Sequence, residues 1–132
     1  MEHTLNGQWL LYIDAHDQGI NNQWYRPKWI EEHKKEARQI RVPSNYNTEF
    51  SDLFQYGGII WYIRKISPRY FFPRNQERYH FKLTFFGVNY ETQVWINGQF
   101  IGSHEGGFTP FTFSLPRGFI SKRTSNPIWI AV

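Results

Sequence analysis

Cysteine is absent from this 132-residue chain, which excludes a disulfide framework, thiol nucleophiles and thiolate metal ligands together. The five histidines (His3, His16, His33, His80 and His104) stand at no H-x-x-x-H spacing. The pattern that brings two imidazoles to one helix face is therefore missing, and neither a metal nor any other cofactor is expected. No apolar run approaches the roughly 18 residues that a membrane span needs. Mean hydropathy is −0.61, and no charged-then-apolar segment opens the chain as a leader would. A membrane partner is not expected, and the lack of cysteine points to the cytoplasm.

Catalytic patterns are missing as well. Serines 44, 51, 67, 103, 114, 121 and 125 lie in no nucleophile elbow. The 11 acidic residues fall singly in loops or in the Glu31-Glu32 charge run, with Asp14 alone at the end of a predicted strand. The paired carboxylates that glycoside hydrolysis uses are not visible. His104-Glu105 has two readings, an acid/base pair or polar loop residues bonded across a turn, and the second is the simpler. Net charge is +4 with pI near 9.4. The basic residues are scattered apart from Lys34-Lys35 with Arg38 and Arg41, and Arg64-Lys65, so the clustered stripe of a nucleic-acid binder is lacking.

What the chain has in plenty is aromatic side chains: 6 Trp, 8 Tyr and 12 Phe. Flat rings suit the half-buried face of a strand, and they also suit stacking on sugars or bases. Residues 5–14, 38–42, 59–67, 79–86, 111–115 and 128–132 read as strands. In residues 79–86, Tyr79, Phe81, Leu83 and Phe85 share one face and His80, Lys82 and Thr84 the other. That first face is too uniformly apolar to interleave aromatics with cations for nucleic-acid stacking. Residues 29–37 read as a short helix or a loop, because their apolar periodicity is poor. Residues 43–58 form a polar, turn-rich connection ending in Gly57-Gly58; a loop that long in a compact domain is usually functional.

The clearest local signal is Asn97-Gly98 between Val94-Trp95-Ile96 and Gln99-Phe100-Ile101. A two-residue type I′ turn needs φ > 0 at both central positions, which Asn and Gly tolerate best, so 92–103 is predicted to be a β-hairpin. Many short strands with little helix argue for an antiparallel sandwich or barrel in one domain over residues 1–132.

Ordered blocks carry a resemblance. Leu5-Asn6-Gly7-Gln8-Trp9 opens the chain, and Val42-Pro43-Ser44-Asn45-Tyr46-Asn47 follows. Next come Tyr56-Gly57-Gly58-Ile59-Ile60-Trp61-Tyr62-Ile63-Arg64 and the run from Phe86 through Val94-Trp95-Ile96-Asn97-Gly98. The last block is His104-Glu105-Gly106-Gly107-Phe108-Thr109-Pro110-Phe111. In this order and spacing they resemble the N-terminal sugar-binding domain of glycoside hydrolase family 2, in the β-glucuronidase and β-galactosidase group, over nearly the whole chain.

The resemblance implies an all-β, galactose-binding-like jelly-roll sandwich belonging to a larger retaining glycosidase. The catalytic glutamates of such enzymes lie on a barrel outside this sequence, so no catalytic residue is expected here. It also implies that Asn47 reaches the hydroxyls of a terminal β-glycoside, with Asn45 taking that role if the register slips by two. An amide supplies two donors and one acceptor, matching a hydroxyl that both donates and accepts. Without the resemblance, Asn47 reads as a cap on the turn after Pro43.

His104, Glu105, Phe108 and Phe111 are expected to face the remaining domains of the parent enzyme, with Phe108 and Phe111 offering aromatic surface. The chain stops inside the apolar run 128–132. The sandwich is therefore expected to lack its last strands and to self-associate through an open sheet edge. The alternative is a free-standing carbohydrate-binding module or lectin-like domain, which would be expected to close its last strand.

Overall fold

The computed structural model describes residues 5–42, 46–66, 82–85, 91–105, 110–114 and 128–131. The chain divides into two compact units: Met1–Arg64 with Ala131, and Lys65–Ile130 with Val132.

In the first unit the elements run β1 (Gly7–Asp14), α1 (Pro27–His33), a 3-10 turn (Lys34–Glu36), β2 (Arg38–Val42), α2 (Tyr46–Glu49), a second 3-10 turn (Ser51–Leu53) and, as far as Arg64, β3 (Ile59–Ile66). β1 pairs antiparallel with β2, Trp9 opposite Ile40, and with β3, Tyr12 opposite Trp61. Because side chains alternate along a strand, Tyr12, Asp14, Trp61 and Ile63 share one face, and Trp9, Leu11, Arg38 and Tyr62 share the other.

α1 lies toward the first face. Trp29 meets Tyr12 edge-on at 5.0 Å, and the Tyr12 hydroxyl donates to the His33 carbonyl at 3.1 Å. α1 starts two residues earlier than the poor periodicity suggests, because Pro27 occupies its first turn, where proline's fixed φ is already helical and no N–H is lost. Its anchor is Ile30, which is fully buried.

In the second unit are β4 (Lys82–Phe85), β5 (Glu91–Ile96), β6 (Gln99–Glu105), β7 (Phe111–Ser114) and, apart from Ala131, β8 (Ile128–Ala131). The predicted hairpin is β5–β6, with Ile96 opposite Gln99. Its turn residues Asn97 and Gly98 have φ of 51° and 83°, as a type I′ turn requires. Val94 faces Gly102 while Trp95 faces Phe100, so Ile101 is the extra residue of a bulge. At Gly102 a Cβ would come within 2.6 Å of the Phe113 ring.

β4 and β7 pair with Thr84 opposite Thr112, their hydroxyls 2.8 Å apart. β8 lies hydrogen-bonded beside β5. The strand expected to present an open edge therefore has a neighbour, and β6 stands at the end of the order β8-β5-β6. Both units are built of antiparallel strand pairs, the class that the pattern of short aromatic strands predicts.

Candidate functional site

The long polar connection singled out from sequence is a built structure. Its polar run leaves few apolar anchors, and the chain uses them: Leu53 is buried, and Tyr46 and Tyr56 pack edge-to-face with centroids 6.4 Å apart. The Tyr46 hydroxyl donates to the Tyr56 carbonyl at 3.2 Å, and the Tyr56 hydroxyl donates to the Ile59 carbonyl at 3.0 Å. Burial first, then the nearby Tyr46, pushes the Tyr62 phenol up to about 12.

Arg38 closes the arrangement. It donates from Nη1 to Asp52 Oδ1 at 2.7 Å and from Nη2 to Oδ2 at 2.6 Å. Its guanidinium also lies 5.1 Å from the Phe50 ring centroid. Hydrogen bonding to Arg38 holds the Asp52 carboxyl below its ordinary range, and the same bond raises Arg38.

Asn47 stands within α2, between Tyr46 and Thr48. It is flanked in the chain by Tyr46, bonded to Tyr56, and by Asp52, paired with Arg38. Asn45 lies outside the described residues, as does Phe108. The Arg38–Asp52 pair and the tyrosine contacts are not apparent in the sequence. Arg38 reads there as one of a group of cations, and the partner that defines it is 14 residues away with no local pattern linking them. Lys34 of the same group pairs with Glu31 at 3.0 Å.

At Phe111, the first residue of β7, the structure differs from expectation. Its ring stacks on His104 at 4.0 Å and meets Phe113 edge-on at 5.6 Å. With 9% of its surface exposed, Phe111 is part of the second unit's own core and does not offer its ring to a partner. The cause is the alternation of β7, which turns Phe111 and Phe113 to one side and Thr112 to the other. Glu105 is exposed and sits opposite Glu91, while His104 sits opposite Thr92 with its ring stacked on Phe111. Among the described residues no group of three or more His, Cys, Asp or Glu side chains is placed to hold a metal ion, and no helix is long and apolar enough to cross a membrane.

Comparison with known proteins gives a consistent result. The family model described as glycosyl hydrolases family 2, sugar binding domain, matches residues 2–132. The β-glucuronidase of Mus musculus is 32% identical over 120 residues, covering 86% of this chain and 18% of its own length. The β-galactosidase of Thermoanaerobacterium thermosulfurigenes is 29% identical over 118 residues, covering 86% and 16%. Among solved structures, the β-glucuronidase from Ruminococcus gnavus in complex with D-glucuronic acid superposes with a TM-score of 0.76 at 21% identity, over 99% of this chain and 21% of that one. An uncultured Clostridium sp. β-glucuronidase does so with a TM-score of 0.70 at 27% identity, over 97% and 21%. The chain thus spans about a fifth of the length of these relatives.

Proposed function

The chain belongs to glycoside hydrolase family 2, as the family's sugar-binding domain, and from that premise we propose that it assists hydrolysis of terminal β-glycosides in a larger β-glucuronidase- or β-galactosidase-like enzyme without being catalytic alone. The observation that carries this reading is the match across residues 2–132 by a chain that covers only 18% of a β-glucuronidase. Reaction chemistry is assigned to segments beyond this domain, in line with the absence of a carboxylate pair from its sequence pattern.

Within the domain, Asn47 is the proposed sugar contact and Asn45 the alternative. The support is Asn47's place on α2, whose flanks are tied to β2 and to Tyr56. A contact to a ring hydroxyl that strengthens as the ring distorts favours the transition state over the ground state. In the full-length enzyme, Asn47→Ala should therefore lower kcat/KM by the equivalent of roughly 1–3 kcal/mol, the range for an unsatisfied polar partner. An unchanged kcat/KM for Asn47→Ala beside a drop for Asn45→Ala would move the contact to Asn45.

The isolated chain should not turn over a nitrophenyl glucuronide or galactoside. Turnover that survives Glu105→Gln would overturn the accessory-domain reading. Micromolar sugar binding by the isolated chain, lost on Asn47→Ala, would favour a free-standing carbohydrate-binding module. His104 and Glu105 are proposed to face the remaining domains, and the cytoplasm is the proposed compartment, supported by the lack of cysteine. Self-association is proposed at β6, which ends its strand order and carries Phe100 with 52% of its surface exposed. A clean monomer in sedimentation at micromolar concentration would reject it.

A further inference from the structure

α2 is four residues long, too short to hold itself. The first helical turn fixes several residues for a single hydrogen bond and is unfavourable in isolation. Here that bond runs from the Phe50 N–H to the Tyr46 carbonyl at 3.1 Å. The position of α2 must come from what flanks it.

On its N-terminal side Tyr46 is tied to Tyr56. On its C-terminal side one guanidinium, Arg38, engages both Phe50 and Asp52. Arg38 belongs to β2, on the strand face that also holds Trp9 and Leu11. The pair therefore bridges from the sheet to the far end of the connection and encloses Tyr46–Glu49 in a closed span.

The pair is an unpromising stabiliser. Its side chains are 33% and 60% exposed, and ion pairs of that kind contribute little to global stability and are screened by salt. What the forked, two-bond geometry does supply is orientation.

We infer that Arg38 and Asp52 are a positioning pair that holds α2, and with it Asn47, in place for sugar contact while contributing little to folding. This rests on the sugar-contact reading of Asn47 given above. The competing account is that burial of Leu53 alone holds the connection; Asp52→Asn leaves Leu53 untouched and separates the two.

The test uses the chain itself and reads amide hydrogen exchange at Phe50, the donor that closes α2. Asp52→Asn and Arg38→Gln should each speed Phe50 exchange by roughly three- to tenfold, with amides of β1 and β3 unchanged. The charge-swapped double variant Arg38→Asp with Asp52→Arg should restore slower exchange. Phe50 exchange that stays at the wild-type rate, or that rises by the same factor as the β1 and β3 amides, would overturn the inference.

A second arm measures kcat/KM of the full-length enzyme on a nitrophenyl glucuronide or galactoside. There Asp52→Asn should lower kcat/KM about as much as Asn47→Ala, with Asn47→Ala and Asp52→Asn combined no worse than either alone, while in the chain Asn47→Ala should leave Phe50 exchange unchanged. A loss of kcat/KM in Asn47→Ala but not in Asp52→Asn would overturn the positioning role. If Asn47→Ala leaves kcat/KM unchanged while Asp52→Asn still speeds Phe50 exchange, the sugar contact falls and the clamp on α2 stands.

Discussion

Trp61 donates its indole N–H to Asp14 Oδ2 across 3.1 Å, joining β3 to the end of β1 at a carboxylate that is 3% exposed. The same carboxylate accepts the Gln18 N–H at 2.7 Å and the Gly19 N–H at 2.8 Å. A buried charge is tolerated when its lone pairs are filled, and here neutral donors fill them. Asp14, the one acidic residue that the sequence places at a strand end, therefore works as a fastener for the turn after β1. Asp14→Ala would leave buried N–H groups without acceptors and should lower unfolding free energy by roughly 2–4 kcal/mol. Denaturant unfolding measures it, and a loss below about 1 kcal/mol, the mean for an ordinary point substitution, would mean that water replaces the carboxylate.

Gly19 is required by the same contact. A Cβ there would lie 2.4 Å from Trp61 Nε1 and 2.5–2.6 Å from the adjoining ring carbons. Trp61 is buried and hydrogen-bonded, so its ring cannot move aside cheaply. Gly19→Ala should cost about 1–3 kcal/mol, as overpacking does. Gly57 has nothing within 4 Å of the added methyl, and Gly57→Ala should change stability by no more than about 0.5 kcal/mol. Thermal melts of the two variants side by side give the comparison.

Strand placement was legible because each strand carries its own signal. The Asn97-Gly98 turn, the Pro43 stop and the alternation around Thr84 are all properties of neighbouring residues. The ordering of residues 46–58 was not legible, because what makes it a structure is Arg38 reaching Asp52 and Tyr46 reaching Tyr56. Such pairs leave no periodicity behind. Phe111 shows a different limit. Its strand was legible over residues 111–115, but which side the ring takes is set only by the pairing of Phe111 with Phe85 across β4 and β7. For Asn47 the residue type alone allows a turn cap as readily as a sugar contact. What favours the sugar contact is the Val42–Asn47 block in its order among the other family-like blocks, a property of the whole chain and of no single residue.

Trp29 is the middle ring of a stack. Trp24 lies 4.8 Å away at 14° on one contact and His33 lies 4.2 Å away at 12° on another, with His33 Nδ1 2.8 Å from the Trp29 carbonyl. Removing the middle ring loses both stacks and the edge contact to Tyr12. Trp29→Ala should destabilise the first unit by roughly 2–4 kcal/mol, while Trp29→Phe should recover about half. Near-parallel indoles couple their transitions, so the circular dichroism couplet from Trp24 and Trp29 should vanish in both variants. A couplet that persists would place its source at another tryptophan pair.

Alkaline titration tests the two buried phenols. Burial first, then the nearby Glu36 carboxylate, pushes Tyr12 up from 10.0 to about 12, and burial with Tyr46 does the same for Tyr62. The Tyr12 hydroxyl also donates to the His33 carbonyl, a bond that only the neutral phenol can make. A raised pKa here means that the native state keeps a proton which the unfolded chain has released. Stability is then full below the unfolded value of 10.0, falls as pH rises past it, and goes on falling until the native phenols ionise near 12. Denaturation midpoints measured from neutral pH upward should be level and then decline from about pH 10. Tyr12→Phe and Tyr62→Phe should each make that decline shallower. Tyrosinate absorbance should show both phenols ionising after the bulk of the tyrosines. Ionisation of Tyr12 with the bulk, seen as a first phase smaller by one tyrosine in Tyr12→Phe, would show that water reaches the phenol beside α1 and would remove its part in the decline.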